Sequence, residues 1–475
     1  MLHPSDNIPA LAPSSEGGRT MGVDLPSLTL GLRDLADDQS LPLGAVLERV
    51  FALDDQAGAF VAEIQSRYFE NALGGVGRGQ AAWQIGWHYQ QTLFFALAEL
   101  LSRDAYAING ETLASDERGA LLTRALRAGR GVVRWEAFHY GPFDETVWAR
   151  LGHVYAQAEA DGLAWMEVDL PEGKSSPHRE FMAAVALRCG ALDSLPLELM
   201  EMADRLIFQV AHQLQLEPQW FPESLWQLNP GSAAAPRRLL FGDTPRSGYF
   251  LGPGQVGAVL EAIQEDLRQG RLARWAVEDG EERMKALACQ AHLRKHWLGP
   301  PTRRYRRHAL SGQVSLVQGW HSMLSIFGGA MESKADVLEL CDVSAGGLAL
   351  RGRGDLVTKL RIGDLVGVRD LAGGEWQLCA VRRLQQEAGS TMAVGLEVIA
   401  RQPRPVDADD GQRAIQGLLC DTLRPGAAVR FISPTQALHQ EGALFVKNEG
   451  GVRKLRPLGQ PARGQLYELR EFQVL

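Results

Sequence analysis

Two short motifs in the last third of the chain combine residue types that recognise phosphates and purine bases. The segment RRYRR places Arg303 and Arg307 four residues apart, and planar guanidinium groups grip phosphate oxygens through paired hydrogen bonds or stack on a purine. In DVSAGG, Asp342 and Ser344 lie two residues apart, so on a strand both point to one face and offer hydrogen-bonding groups to a base edge. Gly347 has no Cβ and permits a sharp turn or close approach of a ligand. This set of residues suits a compact anionic purine nucleotide.

The two motifs are informative mainly as a pair. An R-x-x-x-R pattern is common in an arginine-rich chain and means little alone, whereas D-x-S-x-x-G is much rarer. Here the second motif follows the first closely, at the start of a β-rich segment. The combination therefore predicts a binding site.

The elements that would position these motifs are short strands. After GPPT (299–302) the runs QVSLVQGW, DVLELCDV, GGLALRG, DLVGVRDL, WQLCAVRRL and MAVGLEVIA are short, often alternating and separated by turn residues. They predict a small antiparallel β-barrel or sandwich over 299–403. The polar, proline-containing segment 401–412 reads as a linker, and the runs beyond it predict a smaller β-rich extension over 404–475.

The region 41–298 has a mainly helical pattern, with apolar residues at spacings of three and four. Within it, Trp148 to Tyr155 fits the W-x2-L-G-x2-Y opening of a tetratricopeptide helix pair. No clean 34-residue period surrounds this motif, because LPEGKSSPH (170–178) interrupts the next helix. An isolated or decayed helical hairpin is therefore favoured over an array. The Pro-, Ser- and Gly-containing segment 1–40 is predicted to be a disordered tail.

Length and charge set broad limits on function. At 475 residues and 45% apolar content, the chain is long enough for roughly three packed domains. Its net charge of −8 argues against binding long nucleic acid. The charge is uneven, because residues 1–300 carry a net −13 and residues 301–475 a net +5. The acidic and the basic part are therefore expected to have different roles.

Cysteine usage and hydropathy bear on the location of the chain. The five cysteines are far apart and form neither metal-binding spacings nor a disulfide framework, which favours a reducing cytoplasm. The most hydrophobic helical run, Leu93 to Ala98, is followed by Glu99 and is too short to cross a bilayer. The N-terminus has no basic start or apolar core of a secretory signal. We expect a cytoplasmic protein without a membrane span.

Residues 303 to about 400 resemble a PilZ domain, the family of small β-barrels that act as receptors for cyclic di-GMP. The resemblance rests on RRYRR, DVSAGGLAL, the strand AVRRL and the closing VGLEVI. It implies that Arg303 and Arg307 contact the guanines and phosphates of the ligand, often an intercalated dimer. By the same resemblance, Asp342, Ser344 and Gly347 contact its other side. The helical region does not resemble the β-rich partner domain of the flagellar-brake members.

Other sequence signals are weaker. GPGQVG (252–257) matches the dinucleotide fingerprint G-x-G-x-x-G, but only YFL precedes it and no βαβ unit surrounds it, which favours a simple helix entry. His292 and His296 share a helix face without the glutamate or third ligand of a zinc site. No nucleophile or phosphate-loop motif is found. The sequence therefore predicts no catalytic residue, no metal site and no cofactor.

Together these observations predict a multidomain α+β protein with a helical N-terminal domain, a PilZ-like antiparallel β-barrel and a small β-rich C-terminal extension. The expected function is that of a cyclic di-GMP receptor that is not an enzyme. Ligand binding beside the Gly-Pro-Pro hinge (299–301) would reorient the helical domain, which would regulate a protein partner. A non-catalytic adaptor whose barrel no longer binds nucleotide is the alternative. An enzyme hidden in residues 41–300 would rest only on the size of that region.

Overall fold

The chain alternates between two compact units, which are described one at a time. The computed structural model describes residues 24–38, 40–105, 112–231, 234–240, 243, 247–278, 280–299, 305–329, 335–387, 391–438, 442–448, 451–459, 462–463 and 467–475. The first unit takes Met1–His139, Phe143–Leu192 and Glu198–Pro301. The second takes Tyr140–Pro142, Asp193–Leu197 and Thr302–Leu475.

Helices dominate the first unit. They are α1 Leu25–Asp37, α2 Leu43–Ala72, α3 Gln80–Ala105, α4 Ser115–Phe138, α5 Glu145–Ala160, α6 Pro177–Cys189, α7 Met200–Val210, α8 Val256–Arg268 and α9 Gly280–Trp297. Helix α4 is mostly buried, and its arginines are paired within the unit. Arg124 bonds Asp54 at 2.6 Å and Arg130 bonds Glu180 at 2.7 Å. These pairs allow charged side chains to lie inside a helical core.

Helix α1 lies within the segment for which the sequence predicted a tail. The side chain of Asp24 accepts a hydrogen bond from the Ser27 amide at 2.9 Å and caps the helix. Leu25, Leu28 and Leu32 are buried along one face. The amphipathic pattern here is brief, and the polar residues before it obscure it in the sequence.

The first unit also contains short strands that the helical pattern did not indicate. They are β1 Val168–Leu170, β2 Gly173–Ser175, β3 Gln215–Glu217, β4 Trp226–Leu228, β5 Arg237–Arg238 and β6 Tyr249–Gly252. β1 and β2 form a hairpin in the 170–178 interruption between α5 and α6. Each of these strands has two to four residues, which is too short to show a period of two.

The segment GPGQVG joins β6 to α8. β6 pairs antiparallel with β3 and β4 in a sheet of order β3-β6-β4-β5. A dinucleotide-binding unit requires parallel strands on either side of the helix. The structure therefore agrees with the simple helix entry expected from the sequence.

The first six strands of the second unit form a closed barrel. Its elements are β7 His308–Gln318, α10 Trp320–Phe327, β8 Asp336–Ser344, β9 Gly347–Arg353, α11 Asp355–Lys359, β10 Leu365–Asp370, β11 Gln377–Glu387 and β12 Thr391–Ala400. The strands close in the order β10-β11-β12-β9-β8-β7, and every pairing is antiparallel. Each strand overlaps one of the runs identified in the sequence, and β7 begins before its run QVSLVQGW.

The C-terminal strands form a second sheet. They are β13 Arg404–Asp409, β14 Ala414–Leu419, β15 Ala428–Pro434, β16 Leu444–Asn448, β17 Gly451–Pro457, β18 Ala462–Arg463 and β19 Tyr467–Val474. The order is β15-β14-β13-β16-β17-β19-β18, and a further pairing of β15 with β19 closes it. A hydrophobic cluster joins this sheet to the first barrel, since Leu378 and Ala400 pack with Leu418, Ile432 and Tyr467.

The predicted fold class is confirmed: a helical N-terminal part is followed by an antiparallel β-barrel and a smaller β-rich part. Among the described helices, none combines the length and the apolar character that a membrane span requires.

Candidate ligand-binding site

Two of the predicted residues meet where β7 begins and β8 ends. In the register of these strands Ala309 lies opposite Asp342, so the residue that enters β7, Arg307, reaches the same end of the barrel. Arg307 Nη1 lies 3.2 Å from Asp342 Oδ2. About half of the Arg307 side chain, 49%, is exposed, so its guanidinium is accessible to a ligand. Arg303 lies outside the described residues.

Asp342 keeps one hydrogen-bond acceptor unused. Its Oδ1 is buried and has no hydrogen-bond partner in the part of the chain that the structure describes. A buried acceptor without a partner costs about 1–3 kcal/mol. A ligand that donates a hydrogen bond to this oxygen would remove that cost.

Irregular strand pairing positions Asp342. The register of β8 against β9 shifts between Leu340 and Asp342, and the register of β7 against β8 shifts between Ala309 and Gly312. Such bulges re-aim side chains and are frequent beside functional sites. They lie next to the residues that the motif singled out.

Ser344 and Gly347 form the tight turn between β8 and β9. They are paired across the turn, and Ser344 Oγ donates a hydrogen bond to the Gly347 carbonyl at 3.3 Å. A Cβ on Gly347 would overlap the carbonyl oxygen of Leu396 on β12. Glycine is therefore required here by the close approach of two strands. One residue earlier, a Cβ on Gly346 would lie 2.8 Å from the Tyr305 ring.

A cavity of about 1090 Å³ opens beside this turn. Of the predicted site residues, Arg307, Ser344 and Gly347 line it, together with Tyr305. Asp342 is not part of its lining but is bonded to Arg307. Pockets for drug-sized ligands measure about 300–1000 Å³, so this cavity is large enough for a ligand bigger than a mononucleotide.

The cavity contains arginines that sequence reasoning did not include. Besides Arg307 they are Arg382, Arg383, Arg401, Arg404 and Arg430, against two acidic side chains, Glu397 and Asp421. This excess of positive charge among the described lining residues attracts a polyanion.

Two of these arginines come from β11. A register shift between Val381 and Arg383 in the pairing of β11 with β12 lets both Arg382 and Arg383 reach the cavity. Arg382 Nε donates to Glu397 at 2.6 Å, and Arg383 Nε donates to Asp193 at 2.6 Å within the second unit. The doubled arginine in AVRRL was visible in the sequence, but the bulge that aims both side chains was not.

No group of three or more His, Cys, Asp or Glu side chains suited to a metal ion occurs among the described residues. The paired histidines of α9 have ring centroids 4.5 Å apart, and His292 Nε2 lies 2.8 Å from the Gly190 carbonyl oxygen.

The site on the first barrel offers guanidinium groups, a carboxylate oxygen, a hydroxyl and a close backbone approach. These are the groups of a binding site for an anionic, base-bearing ligand.

Comparison with protein-family models gives two matches. Residues 330–405 match the middle PilZ domain of the cyclic-di-GMP receptor FimW, and residues 18–219 match the N-terminal domain of that receptor. The first match contains Asp342, Ser344 and Gly347, whereas RRYRR precedes it. No curated protein matches the chain.

Proposed function

Since residues 330–405 make this chain a member of the PilZ family, we propose that the protein is a receptor that binds cyclic di-GMP on its first barrel. The predicted family is thereby confirmed, and the helical region, which the sequence left unassigned, is similar to the N-terminal domain of the same kind of receptor. The observation that carries the proposal is the arginine-rich cavity lined by Arg307, Ser344 and Gly347.

The chemistry of the cavity fits a cyclic dinucleotide. Arg307 and the β11 arginines bind the phosphates through charge-assisted hydrogen bonds. Asp342 Oδ1 is buried beside the cavity without a partner among the described residues, and it accepts from the N–H groups of a guanine edge once Arg307 moves onto the ligand. The Ser344 hydroxyl adds a donor or acceptor. Gly347 lets the ligand approach the backbone. Arg303 completes the R-x-x-x-R pair in this proposal.

Calorimetric titration of the full chain with cyclic di-GMP tests the proposal. We expect saturable binding by the wild-type chain, and weaker binding by Arg307→Ala and Ser344→Ala. A hydrogen bond to a charged group contributes about 1.5–3 kcal/mol, so loss of Arg307 should weaken binding about 10- to 100-fold.

The possible outcomes separate the two candidate functions. Absence of binding by the wild-type chain would remove the receptor function and leave the adaptor, in which the barrel only docks a protein. Binding with unchanged affinity in both variants would keep the receptor function but reject this site.

We further propose that ligand binding is transmitted to the helical part of the chain. Arg383 lines the cavity and pairs with Asp193, which follows the first-unit segment Phe143–Leu192 by one peptide bond. A phosphate that competes for Arg383 would release Asp193. Arg303 and Arg307 also follow directly on the segment 299–301 that leads into the barrel, which supports the same coupling.

Small-angle scattering with and without cyclic di-GMP tests this coupling. We expect the ligand to change the scattering profile of the wild-type chain. Asp193→Ala should still bind the ligand, because Asp193 does not line the cavity, but should show a smaller change. Identical profiles with and without ligand at saturation would contradict the coupling.

The wider role follows from the same proposal. The proposed receptor acts by binding alone, and no residue of the chain has a catalytic role in this proposal. It operates in the cytoplasm, which is the location expected from the cysteine usage, and the acidic helical domain contacts a protein partner. Recovery of the same partner with and without cyclic di-GMP would favour the adaptor instead.

A further inference from the structure

The two β-structures of the second unit have the same topology. Numbered from one to six in chain order, the strands of the first barrel, β7 to β12, neighbour each other in the closed order 1-2-3-6-5-4. The strands β13, β14, β15, β16, β17 and β19 close in that same order. All pairings are antiparallel in both. We call the C-terminal structure the second barrel.

The sequences at the second strand of each barrel also correspond. The first barrel has Leu-Cys-Asp at 340–342, followed by Ser344 and Gly347. The second barrel has Leu-Cys-Asp at 419–421, followed by Leu423 and Gly426. The pattern D-x-S-x-x-G thus recurs as D-x-L-x-x-G at the same place in the topology. Arg401 and Arg404 also lie where the second barrel begins, as Arg303 and Arg307 do in the first.

The carboxylate of the repeated motif is already satisfied by hydrogen bonds within the protein. Asp421 Oδ2 accepts from the backbone and Nε of Arg430 at 2.9 Å, and its Oδ1 accepts from Nη2 at 2.7 Å. Although burial would raise the pKa of Asp421, these bonds lower it, so the pair is charged and satisfied. Leu423, at the serine position, packs against the core of the second barrel. In contrast, Asp342 Oδ1 has no hydrogen-bond partner within the part of the chain that the structure describes.

The arginines at the start of the second barrel line the cavity of the first. The Arg404 side chain is exposed and makes no hydrogen bond or ion pair with the described residues, so its guanidinium is available. Arg401 Nη2 lies 3.3 Å from the carbonyl of Ala345, which belongs to the Ser344–Gly347 turn. Thr422 lines the same cavity.

The second barrel is fixed to the cavity wall. Arg430 Nη1 donates to the Ile399 carbonyl on β12 at 2.9 Å, and the shared hydrophobic cluster of Ala400, Leu418 and Ile432 lies behind it. A rigid wall holds Arg404 in place before the ligand arrives, which reduces the entropy lost on binding.

We propose that the second barrel is a repeat of the first that has lost its own ligand site and instead completes the ligand cavity of the first barrel, with Arg404 contacting a ligand phosphate. This inference rests on the proposed receptor function, since it assigns a further residue to the same ligand. It makes the C-terminal part of the chain a determinant of affinity.

Arg413 provides a matched control for a test of Arg404. Arg413 is also exposed, and it lies in the β13–β14 turn, at the opposite end of the hairpin from Arg404, which pairs with Leu419. It does not line the cavity. Both substitutions remove one exposed charge from the same hairpin.

The experiment is calorimetric titration of cyclic di-GMP into the full-length wild-type chain, Arg404→Ala, Arg404→Lys and Arg413→Ala, with melting temperatures measured in parallel. We expect Arg404→Ala to bind about 10-fold more weakly or worse. Arg404→Lys should recover part of the affinity, and Arg413→Ala should bind like the wild type.

The outcomes distinguish this inference from the proposed function. If the wild-type chain binds cyclic di-GMP and Arg404→Ala binds it equally well, only the proposed role of the second barrel is overturned. Equal weakening by Arg404→Ala and Arg413→Ala would also overturn it, because a general charge effect would then suffice. A wild-type chain that does not bind would overturn both proposals.

Discussion

We propose that recognition of the base depends on the Asp342 carboxylate. One of its oxygens is bonded to Arg307 and the other is buried without a partner in the described chain. Asp342→Asn would keep one acceptor and replace the other with an N–H donor, which opposes the donors of guanine. We expect the affinity for cyclic di-GMP to fall about 10-fold or more, measured by calorimetry.

Thermal unfolding of the same variant separates recognition from folding. Because the wild-type chain buries a carboxylate oxygen without a partner, Asp342→Asn should leave the melting temperature unchanged or higher. A large loss of stability together with the loss of affinity would mean that Asp342 acts mainly in the fold.

Gly347 is predicted to be a packing requirement as well as a point of ligand approach. In Gly347→Ala the new methyl group would overlap the Leu396 carbonyl oxygen and force β9 away from β12. Overpacking of this kind costs about 1–3 kcal/mol, so the melting temperature should fall by several degrees, and ligand binding should weaken.

Gly312→Ala is the control for this substitution. Gly312 also lies in a strand of the first barrel, and a Cβ there would be 3.8 Å from Leu340, an ordinary contact. Its melting temperature should stay close to that of the wild type. Equal effects of the two substitutions would contradict the packing argument.

Part of the candidate site could be predicted from the spacing of individual residues in the sequence. Arg307, Ser344 and Gly347 line one cavity because their motif spacing follows the two-residue period of strands and a tight turn. Arg383 and Arg404 could not be predicted in the same way. Arg383 reaches the cavity because of a bulge in β11. Arg404 reaches it because strands that are far apart in the sequence close around the same cavity.

At the scale of elements, alternation of apolar residues predicted the barrel strands β7 to β12, since each is long enough to show its period. The same reasoning missed α10, which follows β7 after Gly319 and whose short apolar stretch from Met323 to Phe327 is interrupted by Ser325. Short elements with mixed patterns depend on their tertiary packing, which a sequence pattern does not contain.

Helix α4 carries a buried acid whose titration should be visible in stability. Burial raises the pKa of Glu136 to about 8, although its carboxylate accepts a hydrogen bond from the Asp144 amide at 3.1 Å. A raised pKa in the folded state stabilises the fold below about pH 4.5. This contribution is lost as the pH rises towards 8, by at most about 1.4 kcal/mol per pH unit.

Glu136→Gln keeps an acceptor for the Asp144 amide and removes the titration. We expect its melting temperature, relative to the wild type, to rise steadily from pH 5 to pH 8. Glu99→Gln on α3 is the control, because it removes one exposed carboxyl group from the same unit. A Glu136→Gln difference that is independent of pH would contradict the burial argument.

At the scale of the whole molecule, charge and topology divide the chain in the same way. The net −13 of residues 1–300 belongs to the helical part, and the net +5 of residues 301–475 belongs to the two barrels that share the arginine-rich cavity. The small overall net charge conceals this division. Strand topology adds what composition could not, namely that the last seventy residues repeat the barrel before them.

Hydrogen–deuterium exchange of the full chain, with and without saturating cyclic di-GMP, would show in one measurement whether the ligand lies against both barrels. We expect slower exchange in peptides that contain the Ser344–Gly347 turn, residues 395–404 and residues 420–422, with no change at the Arg413 turn. Unchanged exchange in all of these segments, or protection confined to the helical part, would contradict this expectation.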